Sequence, residues 1–294
     1  MGGSQKKRVL FIVEGEDTER ELILAAMSAF GINTEGFAIL LYRTNVHALI
    51  DAIAGEDGEF EDDFESVEMR EVLAEMLESG AGSIGEVDYH GMVEHTAGDA
   101  EWLRTASITD VFLLFDFDPQ ANKYSPKRLR AFQAAFMDST GDQGRLLLSY
   151  PMIEAYKDAG VHSYDDFRVL DANRPLSEYK KVVNDRLCAM GKGEYCGLKA
   201  YDRETFARCI AFSIAKARFM TTSAGGPAGY NETLRGGLAS QCDDIDLVSL
   251  LIEQQRLYEE DGTVAVVCTA LFFLSVWPVQ LDHAWSHCKS MGLV

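Results

Sequence analysis

The chain has 294 residues, 47% of them apolar, which is enough for one large domain or two modest ones with a real core. Its longest apolar run, Val264 to Trp277, is interrupted by Thr269 and Ser275 and falls short of the roughly 20 residues a membrane-crossing helix needs. The formal charge of −20 argues against a surface built throughout for polyanions. That charge is concentrated, however. Residues 51 to 101 hold 17 Asp and Glu against one basic residue, Arg70, and the rest of the chain carries 30 acids against 26 bases.

The opening stretch "MGGSQKKR" has no apolar signal core behind it, and the chain reads as cytoplasmic, with no membrane segment. Val9 to Val13 is a strand that runs into Glu14-Gly15, and Thr18 to Phe30 has helical apolar spacing at Leu22, Ile23, Ala26 and Met27. A second strand, Phe37 to Tyr42, precedes a short helix around His47 to Ala54. The acidic region follows, an insertion over about 51–105. It has a helix near Ser66 to Glu78, with Val67, Met69, Val72, Leu73 and Met76 on an apolar face, and a Gly-rich tail. Its plainest reading is a solvated helical insertion packed on its own domain; a partner-docking arm is the sharper one.

Beyond it, Val111 to Phe115 is a third strand, Lys127 to Met137 a helix and Arg145 to Ser149 a fourth strand. Continuous apolar runs mark strands covered on both faces, so the fold class is α/β with a parallel sheet flanked by helices. After Tyr150 the strand signals fade. Leu176 to Met190, Glu204 to Met220, Asp244 to Glu259 and Val264 to Trp277 read as helices, giving an α/β domain over 1–156 and a helical domain over 157–294.

The six cysteines form no CxxC pair and read as buried reduced thiols. His283, His287 and Cys288 lie within one helical turn or so, but no further ligand group at zinc spacing accompanies them.

In an open parallel sheet, ligands gather at the carboxyl ends of the strands. Glu14 stands at the end of the first strand, and Asp116 at the end of the third. Asp118 is two residues on, so that in extended backbone both aspartates face the same way. Glu19 lies on the helix after Glu14, and Glu154 follows the fourth strand in "SYPMIEAY". Crowded carboxylates repel and raise one another's pKa, a conflict that a hard divalent cation, Mg²⁺ or Mn²⁺, relieves. Lys123 and Lys127 lie close by in "NKYSPKRLR", a loop and helix start.

"VLFIVEGEDTE" followed about a hundred residues later by "VFLLFDFD" resembles the Toprim fold, the topoisomerase–primase metal-binding domain. With "YPMIEAY" after the fourth strand, the form is similar to the small RloB-like and OLD-family Toprim nucleases of bacterial anti-phage defence. The likeness covers roughly residues 7 to 156. It implies a Mg²⁺-dependent nuclease hydrolysing phosphodiester bonds of DNA or RNA (tRNA among the substrates) in abortive infection, sometimes beside an ATPase partner subunit, and possible as a homo-oligomer. In that likeness Glu14 is a metal ligand or general acid/base, Asp116 and Asp118 are the metal ligands, and Glu19 matches a second acid of the nuclease branches. Glu154 joins them by position, and Lys123 or Lys127 supplies the phosphate-steadying cation. The alternative from the same residues is a regulatory or assembly subunit on a Toprim scaffold that has no catalysis of its own.

Overall fold

The structure is a computed structural model, and it describes residues 8–15, 17–33, 36–54, 64–80, 84–90, 98–159, 169–171, 178–222 and 237–291. Its contacts divide the chain into two compact units. One comprises Met1–Arg20, Asn33–Phe115 and Gln120–Leu147; the other comprises Glu21–Ile32, Asp116–Pro119 and Leu148–Val294.

The main sheet contains β1 (Val9–Val13), β2 (Phe37–Tyr42), β3 (Ile84–His90), β4 (Asp110–Asp116), β5 (Met137–Asp138) and β6 (Gly144–Ser149), in the order β3-β2-β1-β4-β6-β5. β1 pairs in parallel with β2 on one side and β4 on the other. The Phe117 N–H donates to the Ser149 carbonyl just past the ends of β4 and β6, while Gly144 at the start of β6 lies against Val111 near the start of β4, which is the parallel sense. β1, β4 and β6 are buried along almost their whole length, as strands covered on both faces must be. Phe11 and Phe112 are register partners with stacked rings 5.9 Å apart, and Phe37 meets Phe11 edge-on at 6.1 Å. Such pairs add to area burial and pin the register of the three central strands.

The expectation of a wholly parallel sheet needs correction at its rims. β3 runs antiparallel to β2, and β5 antiparallel to β6. A parallel neighbour requires a long crossover, whereas the few residues between Asp138 and Gly144 suffice for an antiparallel return. β3 also lies in the Gly-rich tail of the acidic region, where no strand was expected.

Helices α1 (Thr18–Ala29), α2 (Val46–Ala54), α3 (Met69–Ser79), α4 (Asp99–Thr105) and α5 (Pro126–Ala135) join these strands. α3 buries Met69, Leu73 and Ala74, and it packs on α4. Arg70, the one basic residue of 51–101, ties the two together: its guanidinium donates to the Leu103 carbonyl at 2.6 Å and to the Ala106 carbonyl at 2.8 Å. Arg104 on α4 pairs in return with Glu71 and Glu78 of α3, at 2.9 and 2.5 Å.

The second unit holds α6 (Ala155–Ala159), α7 (Tyr179–Ala189), α8 (Arg203–Thr221), α9 (Leu238–Asp243), α10 (Leu247–Asp261) and α11 (Pro278–Ser290). Asp202 caps α8 by accepting from the Thr205 N–H at 2.8 Å, and Asp246 caps α10 by accepting from the Ser249 N–H at 2.9 Å. The stretch Val264 to Trp277, read above as a helix, is instead a strand followed by a 3₁₀ segment. β8 (Thr263–Ala265) pairs antiparallel with β7 (Val169–Asp171), Val267 bridges Tyr150, and residues Ala270–Val276 form the 3₁₀ turns. The β-branched run Val264, Val266, Val267 favours this extended start. Gln254 secures it, its amide donating to the Ala265 carbonyl at 2.8 Å and accepting from the Ala265 N–H at 2.9 Å.

Candidate functional site

Glu14 is the residue after β1, half-buried, and its backbone N–H continues the ladder by donating to the Leu114 carbonyl of β4 at 3.3 Å. The residue beyond it, Gly15, leaves room for Glu19: a Cβ at Gly15 would run into the Glu19 carboxylate. Glu19 stands in the first turn of α1 and is only 5% exposed, so the glycine is what lets this buried carboxylate fold back over the strand end. Asp17 is exposed beside the positive end of α1, and Glu16 lies outside the described residues.

Asp116 is the last residue of β4, and burial alternates through "FDFD". Phe115 and Phe117 are buried, and Asp116 and Asp118 are half-buried. β4 ends at Asp116, however, and the Asp118 N–H donates back to the Asp116 carbonyl at 3.1 Å, a three-residue turn about Phe117. The two aspartates are therefore not related by extended backbone, as their spacing in the sequence predicted. Asp116 is also engaged: its Oδ1 accepts the Ile153 backbone N–H at 2.7 Å. The "SYPMIEAY" element is thereby tied to the end of β4. Its other anchors are the Tyr150–Val267 bridge and the Thr269 hydroxyl, which donates to the Leu148 carbonyl at 2.7 Å. The Tyr150–Pro151 peptide is cis.

Glu154 is 4% exposed and is matched by Lys180 of α7, whose Nζ stands 2.8 Å from its carboxylate. Three residues on, Lys157 is equally buried and donates to the Asn184 side-chain oxygen at 3.0 Å. Burial lowers the Lys157 pKa, while neighbouring Glu154 opposes the shift. Asp158 pairs with Arg186 and accepts the Tyr179 hydroxyl at 2.8 Å. Burial, reinforced by the Glu154 charge, pushes the Tyr156 hydroxyl up. The Cys268 thiol is pushed up to about 12 by burial, against hydrogen bonds from the Leu271 backbone and Ser149. Glu154, a ligand candidate by its position, is therefore one member of an ion-paired, buried grip between the 154–158 segment and α7.

Of the two basic candidates, Lys127 lies exposed in the first turn of α5, after the N-cap Ser125. Lys123 is bound to Asp51 of α2 at 3.0 Å, and the same carboxylate holds Arg128 at 2.6 Å. Asp51 and Arg128 did not emerge from the sequence. Asp51 is the first acid of the insertion, and its partners lie more than 70 residues away, a distance that no local pattern records. Nearby, His47 meets the Tyr124 ring edge-on at 5.3 Å.

Every strand-end donor is a carboxylate, the ligand type that a hard divalent cation takes. Among the described residues, no three His, Cys, Asp or Glu side chains stand close enough together to hold a metal ion. The donor set thus fits a cation held by one or two carboxylates with water or phosphate completing the shell, the usual manner of Mg²⁺. It does not fit a closed protein cage. His283 and His287 make no such cage either: Cys288 is buried with its S–H directed at the Glu204 carbonyl, 3.6 Å away, and His287 stands 3.9 Å from the Glu204 carboxylate. Among the described residues, no helix is long and apolar enough to cross a membrane. Compared with models of protein families, with curated proteins and with solved structures, the chain matches none.

Proposed function

We propose that the protein is a Mg²⁺- or Mn²⁺-dependent nuclease that hydrolyses phosphodiester bonds of DNA or RNA, acting in the cytoplasm as an effector of anti-phage defence, on a fold resembling Toprim. The observation that carries this reading is the placing of acids at strand ends: Glu14 directly follows β1, Asp116 closes the adjacent parallel strand β4, and Asp118 comes two residues later. Asp116 and Asp118 would hold the cation, which when bound supplies a lowered water pKa and charge neutralisation at the phosphate. Glu14 is suited to hold or move a proton at its carboxylate. Glu19, kept near the strand end by Gly15, adds a second carboxylate there. Lys127, exposed at the start of α5, and Lys123, which also pairs with Asp51, are the cations proposed to meet a phosphate.

The test is incubation of the purified protein with plasmid, single-stranded DNA and total tRNA, with Mg²⁺, Mn²⁺ or EDTA. Cleavage that requires the cation and disappears in Glu14→Gln supports the reading. Cleavage that persists in both Glu14→Gln and Asp116→Asn removes its basis.

A second reading is a non-catalytic regulatory or assembly subunit, an ATPase being the partner that the resemblance suggests. Two observations favour it: Glu154 and Lys123 are each committed to a salt bridge, with Lys180 and Asp51 respectively. No cleavage by the unaltered protein on any of the three substrates, with stable capture of a partner subunit, would support it.

A further inference from the structure

Cys188 and Cys196 depart from the expectation of buried thiols. Cys188 is exposed and Cys196 half-exposed, while Cys209, Cys242, Cys268 and Cys288 are buried. Their Sγ atoms lie 4.0 Å apart, in S–H···S contact. The backbone accounts for this approach. α7 ends at Ala189, and Gly191 takes the left-handed conformation (φ 70°), which lets the chain reverse. The Gly191 N–H donates to the Cys188 carbonyl at 3.0 Å, and the Lys192 N–H donates to the Leu187 carbonyl at 2.9 Å. The returning turn runs beside the first sulfur, since a Cβ at Gly193 would lie 3.4 Å from Cys188 Sγ. The 3₁₀ turn Gly193–Cys196 then sets the second sulfur against α7, where its S–H also reaches the Asn184 carbonyl at 3.7 Å.

We propose that Cys188 and Cys196 are an oxidant-sensitive dithiol that closes into an intramolecular disulfide when the protein meets a hydroperoxide. In the first step the Cys188 thiolate, the exposed partner, attacks a peroxide oxygen. The O–O bond breaks, Cys188 becomes a sulfenic acid and hydroxide leaves. In the second, Cys196 sulfur attacks Cys188 sulfur. The S–S bond forms, the S–O bond breaks, and the sulfenic oxygen leaves with the Cys196 proton as water. Two thiols are oxidised, and one hydrogen peroxide is reduced to two waters. The sulfurs must close from 4.0 Å to a bond of about 2.05 Å, a movement within reach of side-chain rotation. Burial and the hydrogen bond with Cys188 raise the Cys196 pKa, which suits it to keep its proton until the second step.

The bond would act on more than its own turn. Lys180, Asn184 and Cys188 recur every four residues along α7 and so share one face. The first holds Glu154, the second Lys157, and the third meets Cys196. Oxidation therefore fixes the last contact of the face that grips the 154–157 segment.

The experiment treats the purified full-length protein with hydrogen peroxide, removes the oxidant, and compares it with the dithiothreitol-reduced form. Before treatment, a thiol reagent should titrate two cysteines quickly in the native protein, Cys188 and Cys196. Afterwards it should titrate neither, the intact mass should fall by about 2 Da for the two hydrogens lost, and the chain should remain a monomer on a non-reducing gel. A non-reduced peptide map should link residues 188 and 196, and dithiothreitol should restore both thiols. Cys188→Ser and Cys196→Ser should each abolish the mass loss. A gain of oxygen without cross-link, a disulfide only between chains, survival of both fast thiols, or an unchanged mass loss in either variant would overturn the proposal.

Discussion

The Asp116 carboxylate accepts the backbone N–H of Ile153 at 2.7 Å, joining the end of β4 to the element that follows β6. The residue proposed to hold a cation is thus also a structural acceptor, and the two duties can be separated. Asparagine keeps an oxygen at Oδ1 and alanine does not. Asp116→Asn should retain the fold, whereas Asp116→Ala leaves the N–H of a residue only 4% exposed without this acceptor and should lose about 1–2 kcal/mol. Urea midpoints measure this difference, and both substitutions should remove cation-dependent cleavage. Equal stability of the two variants would show the hydrogen bond to be unimportant.

Glu14→Gln should abolish hydrolysis with little change in melting temperature, since it trades one oxygen for an amide at a half-buried position. Gly15→Ala is the finer probe. Its backbone is not in the left-handed region, and the atoms nearest the added methyl belong to the Glu19 carboxylate, the far end of a flexible side chain. The expected outcome is a partial fall in cleavage rate, for about 1 kcal/mol of stability at most. A rate equal to that of the unaltered protein would dismiss Glu19 from the chemistry.

Lys180→Ala leaves Glu154 without the cation that matches its buried charge. Because the Lys180 side chain is 55% exposed, solvent screens part of the interaction, and the loss should be about 1–2 kcal/mol, well below that of a fully buried pair. Adding Glu154→Gln should recover part of that loss. A double variant less stable than Lys180→Ala alone would mean that Glu154 is held by something other than Lys180.

Stability should fall on the alkaline side. The Cys268 thiol rises from 9.0 to about 12, chiefly through burial, so the folded state keeps a proton that the unfolded chain releases. Its contribution is fully present below pH 9 and is lost as pH climbs from 9 to about 12. Cys209, raised by the same cause, acts in the same direction, and Lys157, lowered by burial, acts in the opposite one. Denaturation midpoints followed across that window should decline less steeply in Cys268→Ala.

The central strands were legible because burial on both faces writes itself as unbroken apolar runs. β1, β2, β4 and β6 all carry that mark, and the positions of Glu14 and Asp116 at the ends of β1 and β4 follow from it. β3 carries no such mark: "IGEVDYH" is a rim strand with Gly85, Glu86 and Asp88, and its pairing comes from β2 across more than 40 residues. Val264 to Trp277 was apolar enough for a helix, but apolarity reports burial and not backbone shape. A buried strand followed by 3₁₀ turns has the same composition. The partners of Lys123 and Glu154 were invisible for another reason. Asp51 and Lys180 meet them through the tertiary fold, and a charge run gives no sign of which members are matched. The cysteine pair escaped because seven residues separate it, and the left-handed Gly191 that brings the sulfurs together belongs to no familiar spacing.

The sheet ends on one side in β3, with Glu86 and Asp88 in its sequence, and on the other in a strand of two residues. An open rim is ordinarily a template on which a second chain can add a strand, the first step towards fibrils and swapped dimers. Here the rim at β5 is too short to template an added strand, and at the other, Asp88 is held by Arg20 at 2.6 Å. At the concentrations where unprotected sheets begin to aggregate, the two-residue strand β5 would therefore act as a guard against self-adhesion on its side of the sheet.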